Sequence, residues 1–223
     1  MITVPTLLAL AVMSAISLVL WKEVVKGRRA AYIRSCRLPP GLVGKLAKHH
    51  VGLSPKDCDL VEKGLRQFFL AYLMSGRGFV SMPSQVADDL WHEFILYTRF
   101  YDTFCKKAFG RFLHHTPAVV LRPDQRNSNA GLRRVWYWAC KDESIDPKSP
   151  SRLPLLFALD AKLKIAGGYR YAADCGGFRD QSGSATYCGG DFGSSGVDGG
   201  TDGFGDGDSS GDGGDGGGGC GGD

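Results

Sequence analysis

Three rhythms of apolar and polar positions divide the chain. From Ile2 to Trp21 it reads ITVPTLLALAVMSAISLVLW, 20 residues without a charged side chain. At about 1.5 Å per residue, a helix of that length matches the roughly 30 Å hydrocarbon core of a bilayer. The run therefore predicts a transmembrane anchor over residues 1–21. A secretory signal is the rival, but no Lys or Arg precedes the run, and it exceeds the roughly 7 to 15 apolar residues of a signal core.

Beyond Leu38 the rhythm changes to steps of three and four. Cys58, Val61, Leu65, Phe68 or Phe69, and Tyr72 form one such series, behind a capping Ser54, a first-turn Pro55 and the acid Asp57. The spacing predicts a helix ending near Gly76. GlyPheValSerMetPro at 78–83 makes a short extended connection, and Ser84 can cap the next helix. Along that helix Val86, Leu90, Phe94, Tyr97, Tyr101, Phe104 and Ala108 form a core stripe, stopped by Gly110. Thr98 offers a second cap that breaks the run in two, and periodicity alone leaves both options open. Residues 131–141 read as a third helix and those from 153 as a fourth, with Pro154 in its first turn, while a weaker pattern predicts a short helix between Leu38 and Lys48. Alternating runs long enough for a sheet are absent, so the expected class is all-α, with one helical domain over 38–175.

The third rhythm is the loss of rhythm. Residues 176–223 hold 21 glycines and nine Asp against one Arg, with almost no large aliphatic side chains. Such a segment buries too little apolar surface to offset the entropy of ordering it, and is expected to be disordered. Its net charge of −8 means that the first 175 residues carry +12 of the formal +4. Asp206, Asp208, Ser210 and Gly211 mimic the start of a calcium loop, but Gly217 stands where a bidentate Glu belongs. Calcium binding is not expected there.

Charge places the domain. Lys22, Lys26, Arg28, Arg29, Arg34 and Arg37 face only Glu23 in the segment 22–37. By the positive-inside rule, a single-pass protein with this pattern keeps its C-terminal domain in the cytoplasm, under the inner membrane if the cell is bacterial. The same residues suit anionic lipid headgroups, at about 1 kcal/mol each near the surface. Cysteines at 36, 58, 105, 140, 175, 188 and 220 form no C-x-x-C pair, and a cytoplasmic domain keeps them reduced. In an oxidising compartment Cys175 and Cys188 are the first pair to suspect. Arg122, Arg126, Arg133 and Arg134 near Trp136, Tyr137 and Trp138 raise nucleic-acid binding, but the aromatics follow a core pattern and no recognised module is present, so none is expected.

The chemistry concentrates in ADDLWHEFILYTRFY, residues 87–101. Asp88, His92, Leu96 and Arg99 share one helical face, with Asp89 and Glu93 beside them. His114 and His115 follow the glycine stop, where the chain can fold back over that face. Asp88, His92, His114 and His115 are the candidate ligands for a divalent metal such as Zn or Fe, which with an open position activates water. The plainer expectation is that Asp88 pairs with His92 or Arg99, that a histidine closes a helix end, and that no cofactor is held. Cys105 as a nucleophile is weaker, since on a continuous helix it points away from His92.

Asp88, Trp91, His92, Ile95, Leu96, Tyr101 and Cys105 fit D-x-x-W-H-x-x-[MI]-L-x-x-x-x-Y-x-x-x-C. The spacing resembles the glycine-rich domain protein family, known from plants and, as uncharacterised proteins, from bacteria. The resemblance spans Leu53 to Leu113 and implies an interaction or stress-linked role with no established catalytic residues. The family's common second histidine falls on Phe94 here, which leaves His92 needing His114 or His115. The expected function is a membrane-anchored interaction or scaffolding module, and the alternative is a metal-dependent hydrolase or oxidoreductase around His92.

Overall fold

A computed structural model of the chain describes residues 4–115, 130–173 and 187–188. Apart from Tyr187 and Cys188, the expected glycine-rich tail lies outside these residues, as do its calcium-like sequence, Arg122, Arg126 and Cys175. Seven helices are described: α1 Val4–Ser35, α2 Leu42–His49, α3 Pro55–Met74, α4 Gln85–Ile95, α5 Thr98–Phe109, α6 Ala130–Asp142 and α7 Leu155–Lys162. The class is all-α, as the periodicity predicts. Extended pairing among the described residues is confined to a two-residue parallel ladder, β1 Tyr171–Ala172 with β2 Tyr187–Cys188.

The 20-residue α3 forms the axis, because it touches α1, α4, α6 and α7 on different sides. It begins on a full capping box: the Ser54 hydroxyl accepts from the Asp57 N–H at 3.2 Å, and the Asp57 carboxylate accepts from the Ser54 N–H at 2.9 Å. From Phe68 to Leu73 every residue is buried, so this end of α3 is covered all round. Phe69 sits at the centre of an aromatic cluster, with Phe104 at 5.1 Å and Trp91, Phe94 and Phe109 at 6.0 to 6.4 Å between ring centroids.

α1 is long and apolar enough to cross a membrane, and the apolar window within it is entirely unburied by the rest of the chain. The helix does not stop at Trp21. It runs on through the basic segment, where Ala30 and Ile33 enter the domain core. Arg66 of α3 donates to the carbonyls of Ile33 and Cys36, both at 2.5 Å, satisfying the C-terminal end of α1. Half of the basic cluster thus turns to the domain: Lys26 lies 5.8 Å from the Trp138 ring, Arg29 donates to the Phe109 carbonyl, and Arg34 pairs with Asp142. Lys22, Arg28 and Arg37 remain exposed.

The ambiguity at Thr98 resolves as two helices. α4 ends at Ile95 and α5 starts at Thr98, with Tyr97, not Thr98, at the cap position and no side-chain cap bond. The core stripe survives the break, since Val86, Leu90, Phe94, Tyr101, Phe104 and Ala108 are all buried, and Tyr97 at the break is partly buried against them. The shared polar face does not. Leu96 is 66% exposed and Arg99 is exposed on α5, without the proposed pairing to Asp88.

α4 is fixed at its N-terminus by Ser84, whose hydroxyl accepts from the Ala87 N–H, and by Asp160 of α7. The buried Asp160 carboxylate accepts from the Ser84 hydroxyl and the Gln85 N–H, both at 2.7 Å, and from the N–H groups of Val86 and Tyr169. An anion at this end also opposes the helix dipole.

Candidate metal centre in the cleft of α4

The two flanks of α4 carry similar residues and meet different neighbours. On one flank, Asp89 meets Nε2 of His50, the residue capping the end of α2, at 2.8 Å, and Glu93 meets Lys45 Nζ at 3.0 Å and His49 Nε2 at 3.2 Å, both from α2. The Lys45 ammonium holds the Glu93 carboxyl below the usual range, against the opposing effect of burial.

The other flank opens into a cleft of about 800 Å³ lined by Asp88, Trp91 and His92, the 111–115 segment, and residues 77–82. What brings the 111–115 segment over α4 is a buried relay. Gly110 ends α5 in the left-handed region at φ 77°, and the chain turns back. Trp91 Nε1 then donates to the Tyr101 hydroxyl at 3.1 Å, which donates to the Leu113 carbonyl at 2.6 Å. Two residues on, His115 Nε2 reaches Asp88 Oδ1 at 3.0 Å. The Trp and Tyr of the sequence motif therefore work as the tether that sets His115.

His92 stands beside this pair, its ring 4.2 Å from that of His115 and its Nδ1 3.4 Å from Asp88 Oδ2. Nδ1 is also 2.9 Å from the Asp88 carbonyl, which can only accept. The proton therefore sits on Nδ1, and in the neutral ring Nε2 is bare, the form a metal ligand needs. Ligand atoms of Asp88, His92 and His115 lie within 4.8 Å of one another. An ion with bonds of about 2.0–2.1 Å spaces tetrahedral ligands roughly 3.3 Å apart, so side-chain rotations on the order of 1 Å close the set. Two histidines and one carboxylate leave positions open for water or substrate.

His114 departs from the expected ligand set. It lines the same cleft, but its ring stacks on Phe112 at 4.7 Å between centroids, and it is not among the three that converge. Neighbouring residues in an extended segment face opposite ways, so only one histidine of the pair can meet Asp88. Cys105 is fully buried, and burial pushes its thiol up, the reverse of an activated nucleophile. Burial also pushes the Cys140 thiol up, to about 12.

Two cleft residues escaped the sequence reading. Arg77 and Arg111 line the same cleft, and neither forms an ion pair with a carboxylate among the described residues. Arg77 adopts φ 67° in SerGlyArgGly, an arginine in a position that usually favours glycine, and that was the available signal. Arg111 donates to the Tyr72 hydroxyl at 3.0 Å and to the Arg77 carbonyl.

The sequence model of the UCP032817-like family matches residues 28–192, and the chain belongs to that family. The matched residues begin within the basic part of α1 and take in every helix that builds the cleft. Comparison with curated proteins and with solved structures gives no match.

Proposed function

For this member of the UCP032817-like family, we propose a single-pass membrane protein whose cytoplasmic helical domain holds a divalent metal between Asp88, His92 and His115 and uses it in hydrolysis. The observation that carries this reading is the convergence of those three ligand groups in a cleft. A divalent ion with open positions supplies Lewis acidity and makes water a stronger acid. The chain's own part is to hold the ligands. Asp88 sits between the two imidazoles, its backbone carbonyl fixes His92, and the Trp91–Tyr101–Leu113 relay fixes His115. The apolar half of α1 anchors the domain, and the exposed Lys22, Arg28 and Arg37 meet anionic headgroups on the cytoplasmic side.

A purely scaffolding role has less to rest on. Outside α1 the exposed large apolar side chains among the described residues are Val51, Leu96, Phe100, Phe112 and Tyr169, and the last two line the cleft.

The test is elemental analysis of the full chain, purified in neutral detergent without a metal-binding tag, beside Asp88→Asn and His92→Ala. Near-stoichiometric Zn or Fe in the parent, lost in both variants while far-ultraviolet circular dichroism is unchanged, is the expected result. A metal-free parent, or full occupancy in the variants, overturns the centre.

A further inference from the structure

Three arginines from three parts of the chain converge at the C-terminal end of α5. Arg29 of α1 and Arg77 of the α3–α4 connection each donate Nη1 to the same Phe109 carbonyl at 3.0 Å, so these two nitrogens lie within about 6 Å of each other. Arg111 joins them by donating to the Arg77 carbonyl. The approach is built in. Gly110 is without a Cβ, and one placed there would stand 2.5 Å from Arg29 Nη2.

Capping accounts for part of this. The last carbonyls of a helix attract cations, and one carbonyl oxygen accepts two donors. It does not account for three guanidinium groups with no carboxylate partner among the described residues. Arg66 and Arg34, by contrast, each pair with an acid, Glu62 and Asp142. Arg29 and Arg77 each commit one N–H donor and Arg111 two, which leaves most of the five on every guanidinium for another partner. Mutual repulsion of this group falls when an anion binds.

We propose that Arg29, Arg77 and Arg111 form a clamp for a phosphoryl group, and that a phosphate ester is the substrate class of the cleft. The substrate assignment rests on the metal centre; the clamp itself stands on the arginines. Uncompensated charge from several guanidiniums suits the dianion of a phosphate monoester better than a single carboxylate, and planar N–H forks match its oxygens. Arg77 and Arg111 line the same cleft as Asp88, His92 and His115. In the reaction, a water oxygen bonds to phosphorus, the ester P–O bond breaks, and a proton from that water ends on the leaving alcohol.

The position also fits the bilayer. Arg29 lies about 7.5 Å of helix beyond Val24, the last exposed large apolar side chain of α1. With Val24 at the edge of the hydrocarbon, that is the depth of the headgroup layer. The phosphoryl group therefore comes from a lipid headgroup or from a soluble ester, and the probes separate the two.

The full chain in neutral detergent micelles is titrated with phenyl phosphate and, separately, with dihexanoyl phosphatidic acid, by calorimetry and ³¹P resonance. Saturable binding of either is expected, weakened about tenfold or more in Arg77→Gly and in Arg111→Gln. Arg77→Gly relieves the left-handed backbone, so the fold is expected to persist, and circular dichroism checks both variants. Arg99→Gln, an exposed charge on α5 outside the cleft, is expected to bind like the parent. Phenyl phosphate binding assigns a soluble source, and binding of the lipid alone assigns the headgroup. Absence of saturable binding by either probe, or an equal loss in Arg99→Gln, overturns the clamp. Elemental analysis of the same samples keeps the two readings apart: metal without phosphate binding removes the clamp alone, and phosphate binding without metal removes the centre alone.

Discussion

The flank of α4 that faces α2 and the flank that faces the cleft start from the same kinds of residue. Toward α2, Asp89 meets His50, and Glu93 meets both His49 and Lys45, a partner of fixed charge. Toward the cleft, Asp88 meets His92 and His115, and among the described residues no Lys or Arg pairs with it. The first arrangement closes on itself and holds two helices together. The second leaves coordinating atoms pointed at a cavity. Composition of a helix face does not separate a structural ion pair from a site; the partner's identity does.

Removing the floor beneath both flanks tests whether they are independent of the core. Phe69→Ala empties the centre of the aromatic cluster and is expected to cost about 3–5 kcal/mol, seen as a lower midpoint in denaturant. Both flanks fail together in that variant.

Tyr101→Phe separates them. It strips the relay of its hydroxyl, leaving the Leu113 carbonyl and the Trp91 N–H without it, and is expected to cost about 1–3 kcal/mol. Because His115 loses its tether, metal affinity is expected to fall about 10- to 100-fold, as for outer-shell partners generally. A competition titration with a chelating dye reads this. Unchanged affinity would show that His115 is placed by something other than the relay.

The smallest effect belongs to the α2 flank. Glu93→Gln is expected to cost no more than about 1 kcal/mol at neutral pH and to leave metal content unchanged. The folded Glu93 carboxyl lies below its unfolded value near 4.3, so its contribution is complete above that pH and is lost as pH falls through the lower folded value. The parent should therefore lose more stability than Glu93→Gln on acidification below about pH 4. Superimposable acid limbs in thermal melts would remove Glu93 from the ion pair.

The elements were legible because each has a local signature. Ser54 with Pro55 and Asp57 announces α3, and Gly110 ends α5 as its backbone requires. The site was half legible. Asp88 and His92 are one helical turn apart and can be paired from spacing alone, whereas the choice of His115 over His114 depends on Tyr101 seizing the Leu113 carbonyl, a contact twelve residues away in sequence. Arg29, Arg77 and Arg111 meet across the tertiary fold, and no periodicity links them. The basic segment after Trp21 reads in sequence as a topology signal, but the inward turn of Ala30 and Ile33 needs the bundle to be seen.

The unbroken course of α1 from Val4 to Ser35 has a geometric corollary. In the proposed single-pass arrangement, a stem that is also a wall of the domain has no swivel, so the azimuth of the cleft about the membrane normal would be set by residue count. Adding one residue near Val25 would turn everything beyond it by about 100° and lift it roughly 1.5 Å, whereas adding seven nearly restores the phase while raising the cleft about 10 Å. Bearing and height are therefore two separately adjustable coordinates, written into the length of a single helix.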